Sequence, residues 1–159
     1  MYTIQKTFSQ LFFCLTLLVI SSSVLANNKL TFGLGAGSFY SGIGMNAGMQ
    51  SATDIKFISV GCVSYSNIYG ETCGAGIGWV STDIFDFQTP KHGASVYVGV
   101  IGSESDNYDR KAVYGGGLGY HYFFSGIADS GFNIGFSVTA GNTDDGMSIG
   151  SMFQAGYQF

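Results

Sequence analysis

Few side chains in this chain are able to do chemistry. Two histidines, three cysteines and ten acidic residues are spread over 159 residues. His121 is followed by Tyr122 and Phe123, so no serine stands two places on to act as a nucleophile. A serine–histidine centre also needs a third group that holds the imidazole in one tautomer. No Asp or Glu lies inside the alternating segments that hold His92 and His121. His121 therefore reads as a hydrogen-bonded interior histidine, and His92 as a solvated residue at a turn. Cys62 and Cys73 have no histidine or carboxylate at metal-ligand spacing. Asp144 and Asp145 precede Gly146, but two adjacent carboxylates fall short of the oxygen set of a calcium loop. The residues point to no catalytic, cofactor or metal site.

The elements that would carry these residues are strands. The chain is 46% hydrophobic and 16% aromatic, only 10% charged, and contains 25 glycines and one proline. Such a chain is too apolar for disorder, and it lacks the Gly-X-Y period of collagen. Six basic against ten acidic residues leave no footprint for nucleic acid. Charges cluster at intervals, and the charge-free stretches between them alternate. Phe132, Ile134, Phe136, Val138 and Ala140 share one parity, with Asn133, Gly135, Ser137, Thr139 and Gly141 on the other. A period of two over this length is a strand with two unlike faces. Eight strands follow, at 29–38, 41–51, 55–66, 71–82, 92–103, 111–124, 130–141 and 147–159. Polar and glycine-containing turns separate them, and Pro90 falls in a connection where it costs no ladder bond.

One face is apolar, and the other is mostly glycine, serine and asparagine without charge. That second face is a poor solvent surface but suits the inside of a narrow barrel. In a bilayer every backbone polar group must be paired internally, so a sheet can span only when it closes. Strands of about ten residues, apolar outside and small or polar inside, are the outer-membrane pattern. The expectation is an all-β fold, an antiparallel up-and-down eight-stranded transmembrane β-barrel. With both termini at one rim, Tyr120, Tyr122, Phe124, Phe132, Tyr157 and Phe159 form an aromatic girdle there, with Lys29 and Lys56 snorkelling to water. Phe57, Tyr65, Tyr97, Ile101 and Phe123 point inward and fill part of the lumen. No ring of charge lines the interior, which leaves at most a narrow channel for small solutes. The connections at the opposite rim, near 38–41, 67–70, 102–110 and 142–146, are short; only 102–110 is long enough to present much.

Residues 1–26 read as a cleaved signal peptide. Lys6 gives a positive start, an apolar core spans 11–20, and Val24-Leu25-Ala26 is a small-residue cleavage pattern. The barrel would then occupy 27–159, and export would carry Cys62 and Cys73 into an oxidising compartment. Paired cysteines there usually bridge; two buried thiols are the alternative.

The mature chain resembles the small eight-stranded outer-membrane barrels of the OmpX, OmpA transmembrane-domain and opacity-protein type. The resemblance is one of architecture, and its most specific part is the carboxyl end, residues 153–159. Phe153, Tyr157 and the terminal Phe159 look like the assembly signal read by the barrel assembly machinery. The stretch 114–120, Tyr-Gly-Gly-Gly-Leu-Gly-Tyr, resembles many barrel strands. The resemblance implies a protein of the Gram-negative cell outer membrane, in contact with its lipid and lipopolysaccharide, and no cofactor. Small barrels also include lipid A deacylases and palmitoyltransferases. The deacylase His-x-Ser element finds only His121-Tyr122-Phe123 here, with phenylalanine where serine is needed. The expected function is non-enzymatic, structural or surface-interacting, performed by a monomer. A narrow channel, and after it a lipid A-modifying enzyme, are the alternatives.

Overall fold

The alternating segments pair with their sequence neighbours throughout. In a computed structural model, which describes residues 28–66, 70–84, 89–106, 109–144 and 146–159, they form β1 (Lys29–Gly37), β2 (Gly42–Gln50), β3 (Asp54–Ser66), β4 (Gly70–Ser81), β5 (His92–Asp106), β6 (Asp109–Phe123), β7 (Gly131–Thr143) and β8 (Gly146–Gln158). Each pairs antiparallel with the next, and β8 closes on β1 through Gly33 opposite Gln158 to Ala36 opposite Ala155. The fold is thus a closed eight-stranded up-and-down barrel. The segment 1–26, the turn residues 67–69, Tyr108 and Asp145 lie outside the described residues.

The apolar parity faces outward. Leu30, Ile58, Ile77, Val98, Leu118 and Ile149 are all exposed. Small and polar residues face inward, and a few aromatic rings fill the space that the glycines leave. A Cβ at Gly35 would sit 2.6 Å from the Tyr40 ring, and Gly156 touches the same ring. Gly76 and Gly99 make room for Tyr97, and Gly78 for Phe57. These five glycines are recesses for particular rings.

Three expectations need correction. Tyr65 faces outward and is 53% exposed. The register of β3 on β4 shifts between Cys62 and Ser64, so a bulge at Val63 reverses the faces beyond it. The span 102–110 is mostly strand: Ser103 pairs with Ala112, Glu104 with Lys111 and Ser105 with Arg110. The connection 38–41 is no surface loop either. It is a 3-10 turn (Ser38–Tyr40) folded into the lumen, with Phe39, Tyr40 and Ser41 fully buried. Positive φ at Gly37 (117°), Ser41 (56°) and Gly42 (98°) turns the chain inward. Left-handed backbone costs a non-glycine residue about 1–3 kcal/mol. The Ser41 hydroxyl shares hydrogen bonds with Ser59 Oγ (2.7 Å) and Tyr97 Oη (2.9 Å), which hold it in place.

Candidate functional site

Two constellations stand out: the polar rows that fix the turned-in segment, and the hairpins at the rim opposite the termini. The interior rows come first because they contain the only histidine in the lumen among the described residues. Alternation points His121 inward from β6, and Ser95 on β5 lies on the adjacent strand. His121 Nε2 and Ser95 Oγ share a hydrogen bond at 2.7 Å. On its other side, β7 offers Gly135, which lets the Gln154 side chain of β8 lie across it to reach His121 Nδ1. Ser38 of the inward turn donates to Gln154 Oε1 at 3.4 Å. The row Ser38–Gln154–His121–Ser95 thus ties the turn to three strands.

Its chemistry follows from the donors. The Gln154 amide donates to Nδ1, so the ring proton sits on Nε2 and is donated to Ser95. A serine that accepts from its histidine is not being deprotonated by it, which is the reverse of a nucleophile–base pair. Phe39 lies edge-on to His121 at 5.3 Å, and His121 is 1% exposed. Other rows complete the frame. Tyr40 Oη and the Asn133 side chain exchange hydrogen bonds at 3.1 and 2.8 Å. Gln158 donates to Thr31 Oγ1 (2.8 Å) and Asn46 Oδ1 (3.1 Å), and Asn46 donates to Phe39 O (3.2 Å).

At the rim of the termini the lumen is stoppered. The turn after β6 folds Ile127 into the mouth, where it is 1% exposed. Ile127 N donates to Pro90 O at 2.8 Å, and the Gln50 amide donates to Ile127 O. Around this rim the rings form chains. Phe32, Phe159, Tyr157 and Phe132 follow at centroid distances of 4.8, 4.8 and 5.0 Å. Tyr122 meets Phe124 at 5.1 Å, and His92 Nδ1 shares a 2.6 Å hydrogen bond with the Tyr120 hydroxyl. Phe153 lies apart from these, against Phe136 at 5.2 Å. Trp79 and Lys56 both engage the Asp54 carboxylate, at 2.9 and 3.5 Å.

The far rim is built differently. Pairing of β2 with β3 stops at Ile43 opposite Cys62, and β4 with β5 at Gly76 opposite Gly99. Beyond these points the β3–β4 hairpin is paired in the ladder only within itself, among the described residues. A two-stranded hairpin is marginal in water, and here the Cys62–Cys73 disulfide closes its base. Cys62 and Cys73 are directly opposite in the ladder. The Glu71 carboxylate, which spacing in the sequence did not place there, lies with the two sulfurs, all within 4.8 Å of one another. With the sulfurs bridged, neither is a thiolate for a metal. The β5–β6 hairpin reaches its neighbours by polar contacts. The Arg110 guanidinium donates to Ser64 Oγ, and the Asp144 N–H donates to both Glu104 oxygens at 3.1 and 3.0 Å. Lys111 pairs with Asp144 at 3.8 Å.

No protein-family model, characterised protein or solved structure matches the chain.

Proposed function

We propose that this chain is an outer-membrane β-barrel protein of a Gram-negative envelope, exported through the periplasm, with a structural or surface-interaction role. The observation that carries the reading is the outward apolar belt on a closed sheet: Leu30, Ile58, Val98, Leu118 and Ile149 are 62–83% exposed. Water would penalise that surface, whereas hydrocarbon would not. A closed ring also satisfies the rule that no backbone group inside a bilayer goes unpaired by its own sheet. The aromatic chains at the rim of the termini then sit at the periplasmic interface, and the far hairpins face outward beside lipopolysaccharide. Membrane fractionation with heat-modifiable gel migration tests this reading; a soluble periplasmic protein refutes it. Phe159 would serve the assembly machinery, and its deletion should reduce the folded, membrane-inserted fraction.

The role is non-enzymatic in this reading, because the one serine–histidine pair in the lumen among the described residues has the wrong proton arrangement and is packed against Phe39. A channel is disfavoured because Phe39, Tyr40, Phe57, Tyr97 and Phe123 fill the lumen and Ile127 stoppers one end. Planar-bilayer recording would show steady conductance if the channel reading held.

A further inference from the structure

The base of the β3–β4 hairpin brings together three side chains of metal-ligating type. Cys62 and Cys73 stand directly opposite in the ladder, with their sulfurs bridged. Glu71 precedes Cys73 by two residues on β4, so the two-residue period of a strand turns both toward one face. Thr72, between them, points the other way and is buried. A Glu71 carboxylate oxygen and the two sulfurs lie within 4.8 Å of one another. Glu71 and Cys73 are exposed and Cys62 is half-buried, so the cluster opens to the surroundings of the barrel wall and not to its lumen.

Glu71 is the odd member. A carboxylate adds nothing to a disulfide, and beside two thiolates its charge is a repulsion. The three groups agree when the bridge is open and a cation stands among them. Two thiolates and a carboxylate select zinc(II) over magnesium or calcium, which prefer all-oxygen sets. Zinc takes sulfur at about 2.3 Å and carboxylate oxygen at about 2.0–2.2 Å in a tetrahedron, which sets its donors about 3.6–3.8 Å apart. The sulfurs must therefore part on reduction. Unbridged cross-strand partners, with Cβ atoms about 4.5–5.5 Å apart, allow this without a change of register. From 4.8 Å the carboxylate has about 1 Å to close, a small rotation for an exposed side chain. The fourth position is left for water.

We propose that Cys62, Cys73 and Glu71 form a redox-gated site for a thiophilic divalent cation, with zinc(II) as the ion that fits. A dithiol opens it by exchange. One reductant thiolate attacks the sulfur of Cys73, the more exposed of the two, and the Cys62–Cys73 bond breaks as a mixed disulfide forms. The second reductant thiol then displaces Cys73 and closes the reductant's own disulfide. Two electrons and two protons have passed to the cysteines. Zinc binding expels both protons and leaves two thiolates and a carboxylate around one cation. Bridge and metal exclude each other, since a bridged sulfur is no thiolate. The hairpin base is thus tied by a covalent bond in one state and by an ion in the other. The site needs only the β3–β4 ladder and is indifferent to whether the chain lies in a membrane.

The test uses the full chain in detergent micelles, with Cys14→Ser so that Cys62 and Cys73 supply the only thiols. It is compared in bridged form and after reduction by a trialkylphosphine, which takes oxygen from water and leaves two thiols. The phosphine is removed without air, and cobalt(II), a spectroscopic stand-in for zinc, is titrated in. In the reduced chain, sulfur-to-cobalt charge transfer and tetrahedral d–d bands should saturate at one ion per chain, and zinc should displace them. The bridged chain should show neither band. Glu71→Gln changes an exposed position and keeps both cysteines. Its circular dichroism and bridge formation should match those of the parent, while zinc affinity of the reduced form falls at least tenfold. Saturating zinc should also slow reoxidation of the parent thiols at least tenfold, and magnesium should not. Zinc binding no tighter in the reduced chain than in the bridged one overturns the proposal. So does unchanged affinity in Glu71→Gln, which leaves the carboxylate no part, or one ion shared between two chains, which makes the site intermolecular. A bridge that phosphine cannot open in the folded chain overturns it as well. Fractionation as a soluble protein would fail the membrane reading alone, a separately visible outcome.

Discussion

The two ends of this barrel are held by different means. Toward the termini the ring is complete, and its lumen is packed with Phe39, Tyr40, Phe57 and Phe123 and laced by side-chain rows. Toward the far rim the ring opens into hairpins paired within themselves, held among the described residues by a disulfide, an arginine–serine contact and an exposed ion pair. Packing acts on the whole fold, because each buried ring touches several strands. A staple acts only on the hairpin it closes. The contrast implies that the closed half sets global stability, while the far half can change without unfolding the rest.

The hardest test of that division is Phe39→Ala. Truncating a buried phenylalanine costs about 3–5 kcal/mol, and here it also loosens the turned-in segment. Urea titration of the folded band in vesicles should show the loss; a loss below about 1 kcal/mol would mean the lumen is not the seat of stability. Replacing both bridge cysteines, Cys62→Ser with Cys73→Ser, removes a constraint of roughly 2–3 kcal/mol for so short a loop. That loss should appear as faster protease nicking of the β3–β4 hairpin, with the urea midpoint of the barrel nearly unmoved. A large midpoint shift would break the comparison. Asn133→Leu leaves the Tyr40 hydroxyl without its buried partner and should cost about 1–3 kcal/mol in the same titration. The smallest effect belongs to Lys111→Ala. Its partner Asp144 is largely exposed, and such pairs contribute under about 1 kcal/mol. Any effect should vanish in high salt.

Most of the framework was legible from side-chain alternation. The strand expected at 147–159 is Gly146–Gln158, and that expected at 130–141 is Gly131–Thr143. Inward and outward parity held where registers run unbroken, as at Phe57, Tyr97 and Phe123. It failed at Tyr65 because a bulge adds one residue to one strand, and nothing in the local pattern of Cys62, Val63 and Ser64 announces it. The inward turn was missed for a related reason. Ser38-Phe39-Tyr40-Ser41 reads as a short connection, and its aromatic pair was the available signal, since two rings at an exposed tip would be poorly placed. The role of Gln154 was hidden as well. An amide three strands from Ser95 becomes its partner through His121 only when Gly135 leaves the wall clear between them.

By itself the sequence determined the strands, their number and which face of each is apolar. These are local consequences of a two-residue period and of where charges interrupt it. Tertiary structure alone decided the rest: that the first hairpin stops short and folds inward, and that five inner glycines are recesses for Tyr40, Tyr97 and Phe57. Those features depend on how far each strand continues past its neighbour. Continuation is set by register and closure around the whole ring, which no single segment of sequence contains.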